Sequence, residues 1–573
     1  MKFLPVNRKE MRERGWQELD IIFVTADAYC DHPSFGVALL SRFLEREGYR
    51  VGIIAQPDWR RKDDFLKLGR PKLFFGVTAG NLDSMLSIYT SFMNLRKIDK
   101  YSPGGVVGLR PKMPTIVYTN RIKEVFSDCP IIIGGLEASL RRLAYYDFWS
   151  DKVRRSILFD SKADMLIYGM AERQILEVAS RLKAGEKVTS LNDVRGTVIA
   201  RSDISFLKNY ALLPDFAQVA TDKQSFIEAF NLYSAQINPF KARAIVQKTD
   251  DRFCIQLPPA LPLTQAQMDN IYDSAFCRKS HPMYEKFGGV PAMKTIETSI
   301  TSHRGCCGSC SFCSLAFHQG RFIQSRSISS IVKEAKLIAR QPEFNGVISD
   351  VGAATANMYG VHCLLDEGCL KQNCLFPEIC PNLKQEFGKQ VQMLKALRLV
   401  DGVKQVYIQS GIRYDLLLCP GADEYVEQLC RYHVSGQLKV APEHACGDVL
   451  RLMRKPVFAK YKQFVEIFSG LSKKVRKELF LIPYFITAHP GCGLKSARKL
   501  AAFVNKMGFK PEQIQDFIPL PMTRSNCMYY TGSDPETGKP LYVAKNKSDR
   551  MKQRTLIQGP NAKSYNRLRK NGC

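Results

Sequence analysis

The sequence predicts an α/β protein: a doubly wound, Rossmann-like N-terminal domain, then a partial (β/α) barrel, then a short basic C-terminal segment. Three observations carry this prediction. The chain has 573 residues, too many for one hydrophobic core. Short apolar runs alternate with segments of helical periodicity, the pattern of parallel sheets covered by helices. That alternation is interrupted between about residues 211 and 285 and resumes with greater regularity from Lys294. The expected boundaries are 1–210, 211–285, 286–525 and 526–573.

In the first segment, Asp20–Thr25 reads as a buried strand. Phe35–Glu47 carries Val37, Leu40, Phe43 and Leu44 at helical spacing, and Tyr49–Ala55 returns as a strand. Leu73–Thr78, Pro130–Ile133 and Asp164–Tyr168 are further strands, the middle one running into Gly134-Gly135. Ligands of such sheets sit at the carboxyl edge. Residues 211–285, with the Pro-rich Leu257–Pro262, read as a connection with some helix.

In the second half, Thr295–Thr301 is expected as a strand. Ser327 or Ser329 caps a helix through Arg340 whose buried face is Ile331, Val332, Ala335 and Ile338. Gly346–Asp350 and Lys404–Gln409 are strands separated by the helix Glu386–Val400 and the turn Asp401-Gly402. Leu438–Ala441 and Leu479–Thr487 continue the series. Function in barrels sits at the carboxyl ends of strands.

The first barrel strand leads into Arg304-Gly305-Cys306-Cys307-Gly308-Ser309-Cys310-Ser311-Phe312-Cys313. Cys306, Cys310 and Cys313 form C-x3-C-x2-C with an aromatic before the last cysteine. Three thiolates on one loop can hold three irons of a [4Fe–4S] cluster and leave the fourth open to a small molecule. The alternative register from Cys307 opens like a ferredoxin run, but Phe317 and His318 stand where that run needs cysteine and proline. A structural zinc would need a fourth ligand, which His303 or His318 could supply. Cys307 then reads as a spare thiol packed beside the loop. The motif resembles the signature of radical SAM enzymes, which implies S-adenosylmethionine (SAM) at the open iron and a one-electron donor such as flavodoxin or ferredoxin.

Four further segments narrow the resemblance: Asp350–Gly360, Gln409–Asp415, Lys439–His444 and Asp516–Met522. They are similar to the YgiQ family of radical SAM proteins, and the likeness spans nearly the whole chain. Asp350 beside Gly352 suits the SAM ammonium; the other reading is a plain strand-to-helix turn. Arg413 could pair the SAM carboxylate and Ser410 could reach the ribose, or Arg413 could bridge to Asp415 or Glu443. Lys439, Glu443 and His444 are candidates for substrate contact or proton transfer, and each also has a structural reading. The N-terminal domain resembles cobalamin-binding-like regions, but the D-x-H-x-x-G motif is missing, since Cys30–Gly36 has the residue types at the wrong spacing. A corrinoid is therefore disfavoured without being eliminated, and a domain that binds substrate or only packs is favoured. Methylthiotransferases carry a three-cysteine N-terminal site, whereas here that domain has Cys30 and Cys129.

Cys363, Cys369, Cys374 and Cys380, spaced x5, x4, x5, could hold an auxiliary Fe–S cluster or zinc, although the spacing matches no standard motif and loose cysteines are frequent. Eighteen cysteines with no apolar signal segment at the N-terminus point to a reducing, cytoplasmic setting. No apolar stretch has membrane-span length. The net charge of +28 favours a polyanionic partner, RNA above all, with methylation or methylthiolation as the first reaction considered. Leu541–Cys573 has nine Lys/Arg against Asp549 alone, with Lys545, Lys547, Arg550, Lys552 and Arg554 near Tyr542. The rival reading is a non-catalytic Fe–S protein that binds RNA or senses iron.

Overall fold

The computed structural model describes residues 2–365, 369, 371, 373–507, 511 and 513–558. Its first body is a nine-stranded sheet built from β1 (Ile21–Thr25), β2 (Val51–Ala55), β3 (Phe74–Thr78), β4 (Ile131–Gly134), β5 (Met165–Ile167), β6 (Thr197–Arg201), β7 (Tyr210–Leu212), β8 (Ala244–Thr249) and β9 (Arg252–Gln256). The order is β2-β1-β3-β4-β5-β6-β9-β8-β7. β1 to β5 are parallel, with Phe23 opposite Ile53 and Gly76. The reversal of order between β1 and β3 is that of a doubly wound sheet. Ile22, Val24, Phe75, Val77, Ile131 and Ile133 bury one face and Ile21, Phe23, Phe74 and Ile132 the other. Two covered faces explain why these strands read as continuous apolar runs.

Within 211–285, expected as a connection with some helix, α1 (Lys223–Ala235) is followed by the antiparallel pair β8 and β9. Two buried glutamines interrupt their apolar pattern. Gln247 accepts from Ala144 N at 3.0 Å, and Gln256 accepts from Arg142 Nε at 2.7 Å. The strands were hidden because their buried polar groups find partners that only the tertiary fold supplies.

The second body is a partial barrel of parallel strands. β10 (Ile300–Thr301) pairs with β12 (Val351–Gly352), and β11 (Val347–Ile348) with β13 (Gln405–Val406). β14 (Gln437–Glu443), β15 (Phe480–Thr487) and β16 (Ile514–Asp516) form a parallel set, joined to the earlier strands through an Ile412–Val440 bridge. Helices α2 (Ile328–Ala339), α3 (Phe387–Arg398) and α4 (Phe458–Lys474) cover it through Ile331, Leu394 and Phe464, packed on Ile348, Val351, Leu438 and Val440. Ser327 is the cap of α2, accepting from Ser330 N at 3.1 Å.

The strand expected over Thr295–Thr301 is mostly helical turn. Thr295 and Ser299 hydroxyls bond back to the carbonyls of Ala292 (2.9 Å) and Ile296 (2.8 Å), so only Ile300–Thr301 joins the barrel. At the far end α5 (Leu494–Lys506), α6 (Arg524–Thr531) and α7 (Lys547–Gln558) close the structure, and α7 docks on α5. Residues 559–573 of the basic segment lie outside the described residues. Among the described residues no helix is long and apolar enough to cross a membrane.

Candidate functional site

The cysteine loop leaves the carboxyl end of β10 and is fixed from three sides. Cys306 N donates to Gly320 O at 3.2 Å, Ser311 N to Met453 O at 2.9 Å, and Ser525 N to Ser311 O at 2.8 Å. Gly305 has φ +91°, and a side chain there would run into the Phe322 carbonyl. Just before the loop, buried Arg304 pairs with Glu172 from the first body and donates to Tyr272 Oη at 3.0 Å.

Burial pushes the Cys306 thiol up, with the charge of Cys310 adding to it; burial, Cys310 and Cys306 push Cys313 up to about 12. Burial thus makes deprotonation of Cys306 and Cys313 costly unless cations are supplied. Arg413 Nη1 lies 3.7 Å from Cys310 Sγ, and a Cβ on Gly308 would come within 2.9 Å of that nitrogen and 3.4 Å of Cys306 Sγ. A donor set of three thiols, a neighbouring guanidinium and a loop without side-chain bulk fits an iron–sulfur cluster. Cys307 points elsewhere: its sulfur is 3.9 Å from Met358 Sδ, and after burial the charges of Cys306 and Cys374 raise it most. His303 and His318, the residues that could complete a zinc site, are engaged. His303 bonds Ser302 Oγ (2.9 Å) and the Thr355 carbonyl (3.0 Å); His318 Nδ1 bonds Ser139 Oγ (3.1 Å).

The strand-end residues fall into three groups. Asp350, Gly352, Ser410 and Lys439 line one cavity of about 450 Å³, completed by Pro33 and Ser34 from the loop after β1. In it the Asp350 carboxylate accepts from Gln409 N (2.8 Å), Ser410 N (3.0 Å) and the Ser410 hydroxyl. Arg413 takes the salt-bridge alternative, holding buried Asp415 in a fork at 3.0 and 2.6 Å. Glu443, with φ +66°, is buried 3.8 Å from Lys455. Burial raises its carboxyl against the pull of Lys455 and Arg413, and its charge acts on Cys313.

His444 turns away from both. Its Nδ1 accepts from Cys446 N at 2.9 Å, its Nε2 is 3.5 Å from Cys492 Sγ, and burial lowers it to about 4. Lys439, Glu443 and His444 thus serve three different surroundings. Sequence reasoning missed Lys455, Cys492 and His489. The run His489-Pro490-Gly491-Cys492, two residues beyond the end of β15, was the available signal.

Cys363 lies in a short antiparallel pair, His362–Cys363 with Leu383–Lys384, that closes the later cysteine loop. Burial raises the Cys374 thiol; Arg321 opposes, and Cys369, Cys380 and Cys363 add to the rise. Among the described residues no three Cys, His or acid side chains close to the spacing of a single metal ion, in this loop or in the first. Of the basic residues near the C-terminus, Arg550 is buried and donates to Phe517 O at 2.7 Å, and Arg554 pairs with Asp516. Lys545, Lys547 and Lys552 remain exposed.

Known proteins resemble this chain in sequence and in fold. A family model described as Radical SAM N-terminal matches residues 3–299. A UPF0313 protein of Clostridium botulinum (strain 657 / Type Ba4) is 49% identical over 561 residues, covering 97% of this chain and 88% of the relative. A UPF0313 protein of Methanocella arvoryzae is 48% identical over 568 residues, covering 99% and 94%. In fold, the chain resembles the radical SAM methyltransferase TsrM of Kitasatospora setae with tryptophan and a SAM analogue bound: TM-score 0.51, 13% identity, 89% of this chain and 77% of that one. The same enzyme with cobalamin and a [4Fe–4S] cluster bound gives TM-score 0.50 and 13% identity, over 87% and 72%. The expectation that disfavoured a corrinoid is not borne out, because a protein of this fold carries cobalamin.

Proposed function

The chain belongs to the UPF0313 family and carries its Radical SAM N-terminal domain, and from that premise we propose a radical SAM enzyme whose cluster is held by Cys306, Cys310 and Cys313. The observation that supports this most is the fate of the rival ligands. His303 has both ring nitrogens bonded elsewhere, and among the described residues the three thiols form no group with His, Cys or acid side chains close enough for a single metal ion.

A [4Fe–4S] cluster held by Cys306, Cys310 and Cys313 would supply one-electron reduction of SAM, the route to a 5′-deoxyadenosyl radical that could take hydrogen from a substrate. The chain's residues hold and insulate that chemistry. Backbone bonds to Gly320, Met453 and Ser525 fix the loop that carries the thiols. Arg413, oriented by Asp415, sets one guanidinium nitrogen beside the Cys310 sulfur, and its charge opposes the rise of the Cys306 thiol. Asp350 and Ser410 form the polar wall of the neighbouring cavity, suited to an ammonium and a ribose hydroxyl. Glu443 and Lys455 form a buried pair beside the loop, able to hold a proton where water is excluded. His444 acts through Cys492 and the packing behind β14, so we assign it a positioning role.

For the acceptor, the net charge of +28 supports RNA and a methylation-type reaction, with electrons from a flavodoxin- or ferredoxin-like donor. The test is anaerobic reconstitution followed by dithionite-driven release of 5′-deoxyadenosine. Replacing Cys306, Cys310 or Cys313 by Ala is expected to abolish release, while Cys307→Ala retains it, and SAM should perturb the cluster's EPR signal. If Cys307 is essential and Cys306 dispensable, the ligand register is wrong. A bound cluster that never cleaves SAM would favour the non-catalytic, RNA-binding or iron-sensing reading.

A further inference from the structure

Three of the four later cysteines, separated in sequence, line one cavity, and the fourth packs in the apolar cluster beside it. The pairing of Cys363 with Leu383 brings the two ends of their loop together. Inside it, Cys380 N donates to Cys374 O at 2.8 Å and Leu383 N to Cys380 O at 2.9 Å. On the opposite side Asn238 Nδ2 donates to Cys369 O at 2.8 Å, tying the loop to the first body. Cys307, Cys363, Cys369 and Cys374 thereby line one cavity of about 680 Å³, together with Arg321 and Lys371. Cys380 sits in the same apolar cluster as Cys307 and Cys374. All five thiols are free.

Two cations point at these sulfurs. Arg321 Nη2 is 3.9 Å from Cys374 Sγ, and Lys371 Nζ is 3.8 Å from Cys380 Sγ. Arg321 Nη1 also donates to Lys371 O at 3.2 Å, while its buried Nε has no partner. Cations aimed at grouped thiols favour thiolates and stabilise a negatively charged centre. Packing alone would not select such an arrangement, because burying a guanidinium nitrogen without a partner is costly. The thiols are too widely spaced for one metal ion, as are those of the first loop. An iron–sulfur core is bulkier than an ion and holds its thiolates farther apart.

We propose that this cavity holds a second iron–sulfur cluster, ligated by Cys363, Cys369, Cys374 and Cys380. Cys307 lies between the two cysteine loops: its backbone belongs to the first, and it lines the second cavity. The four thiols release their protons on ligation. The assignment does not depend on SAM cleavage, since it concerns only which thiols hold iron.

The experiment is iron, zinc and sulfide analysis with Mössbauer spectroscopy on anaerobically reconstituted full-length chains. The wild type is expected to hold two clusters. The variant Cys306→Ala, Cys310→Ala, Cys313→Ala should keep half the iron and sulfide. The variant Cys374→Ser, Cys380→Ser should lose half and keep the SAM-sensitive EPR signal of the first cluster. One cluster per wild-type chain, or zinc in place of iron at these thiols, overturns the proposal. So does an unchanged iron content in the Cys374→Ser, Cys380→Ser variant, which stands even if the first variant fails to fold.

Discussion

At Gly308 the absence of a side chain sets the distance between the cysteine loop and Arg413. The guanidinium cannot retreat easily, because Asp415 holds it in a two-bond fork. Gly308→Ala is therefore expected to cost about 1–3 kcal/mol as overpacking, and to lower iron retention after reconstitution; wild-type iron with an unchanged melting temperature would show that the loop has slack. A second residue-scale effect concerns His433, buried with Nδ1 donating to Val406 O at 2.7 Å and lowered to about 4, chiefly by burial. The folded chain keeps this ring neutral at a pH where the unfolded chain protonates it. Its contribution is present above pH 6.5 and lost as pH falls toward 4, at up to about 1.4 kcal/mol per pH unit. His433→Gln should flatten the pH dependence of the urea midpoint in that window by up to one proton. Identical slopes for wild type and variant would sink the assignment.

Elements show what the sequence made legible and what it hid. The strands β1 to β5 were readable because both their faces are covered, so apolar runs mark them directly. β8 and β9 were not, because Gln247 and Gln256 are buried polar residues satisfied by Ala144 and Arg142, more than one hundred positions away. The cysteine loop was legible since its ligands lie within eight residues, whereas the grouping of His444 with Cys492 depends on strands 48 residues apart closing side by side. Site residues on one strand also separated: positions 439 and 443 would share a face of a regular strand, but the register shifts between Val440 and Glu443, which takes φ +66°, and His444 lies past the strand's end. One contact that joins the two bodies is the Glu172–Arg304 pair, both side chains buried. Glu172→Ala should destabilise the chain by about 3–5 kcal/mol, because it strands a buried guanidinium. The same change should loosen the cysteine loop two residues on, read as faster cluster loss to a chelator. A loss under about 1 kcal/mol with normal cluster retention would mean that other contacts hold the two bodies together.

At the scale of the molecule the question is what the charge of +28 is for. Read as sequence, the C-terminal segment is a basic arm; in the structure its described part is α7, a working part of the fold. Gln553 receives Ala488 N at 3.0 Å and donates to Cys492 O at 2.6 Å, while Ile557 is buried against Phe485 and Leu500. Deleting residues from 545 onward would strip this helix and uncover the Cys492 region, so it would test stability more than binding. Gln553→Ala measures that coupling, at about 1–3 kcal/mol for each backbone group left unpaired. Binding is better probed by charge alone. Lys547 and Lys552 lie on the outward side of α7, whereas Arg550 and Arg554 are already spent on Phe517 and Asp516. If the surface engages RNA phosphates, log K against log salt should be steep in the intact protein. Lys547→Ala with Lys552→Ala should then reduce the slope by roughly 0.7 to 0.9 for each phosphate no longer neutralised. Cluster content and melting temperature should not move, since neither lysine touches the core. A slope near zero in the intact protein would remove RNA and leave a small molecule or a protein as the acceptor, with the excess charge serving solubility.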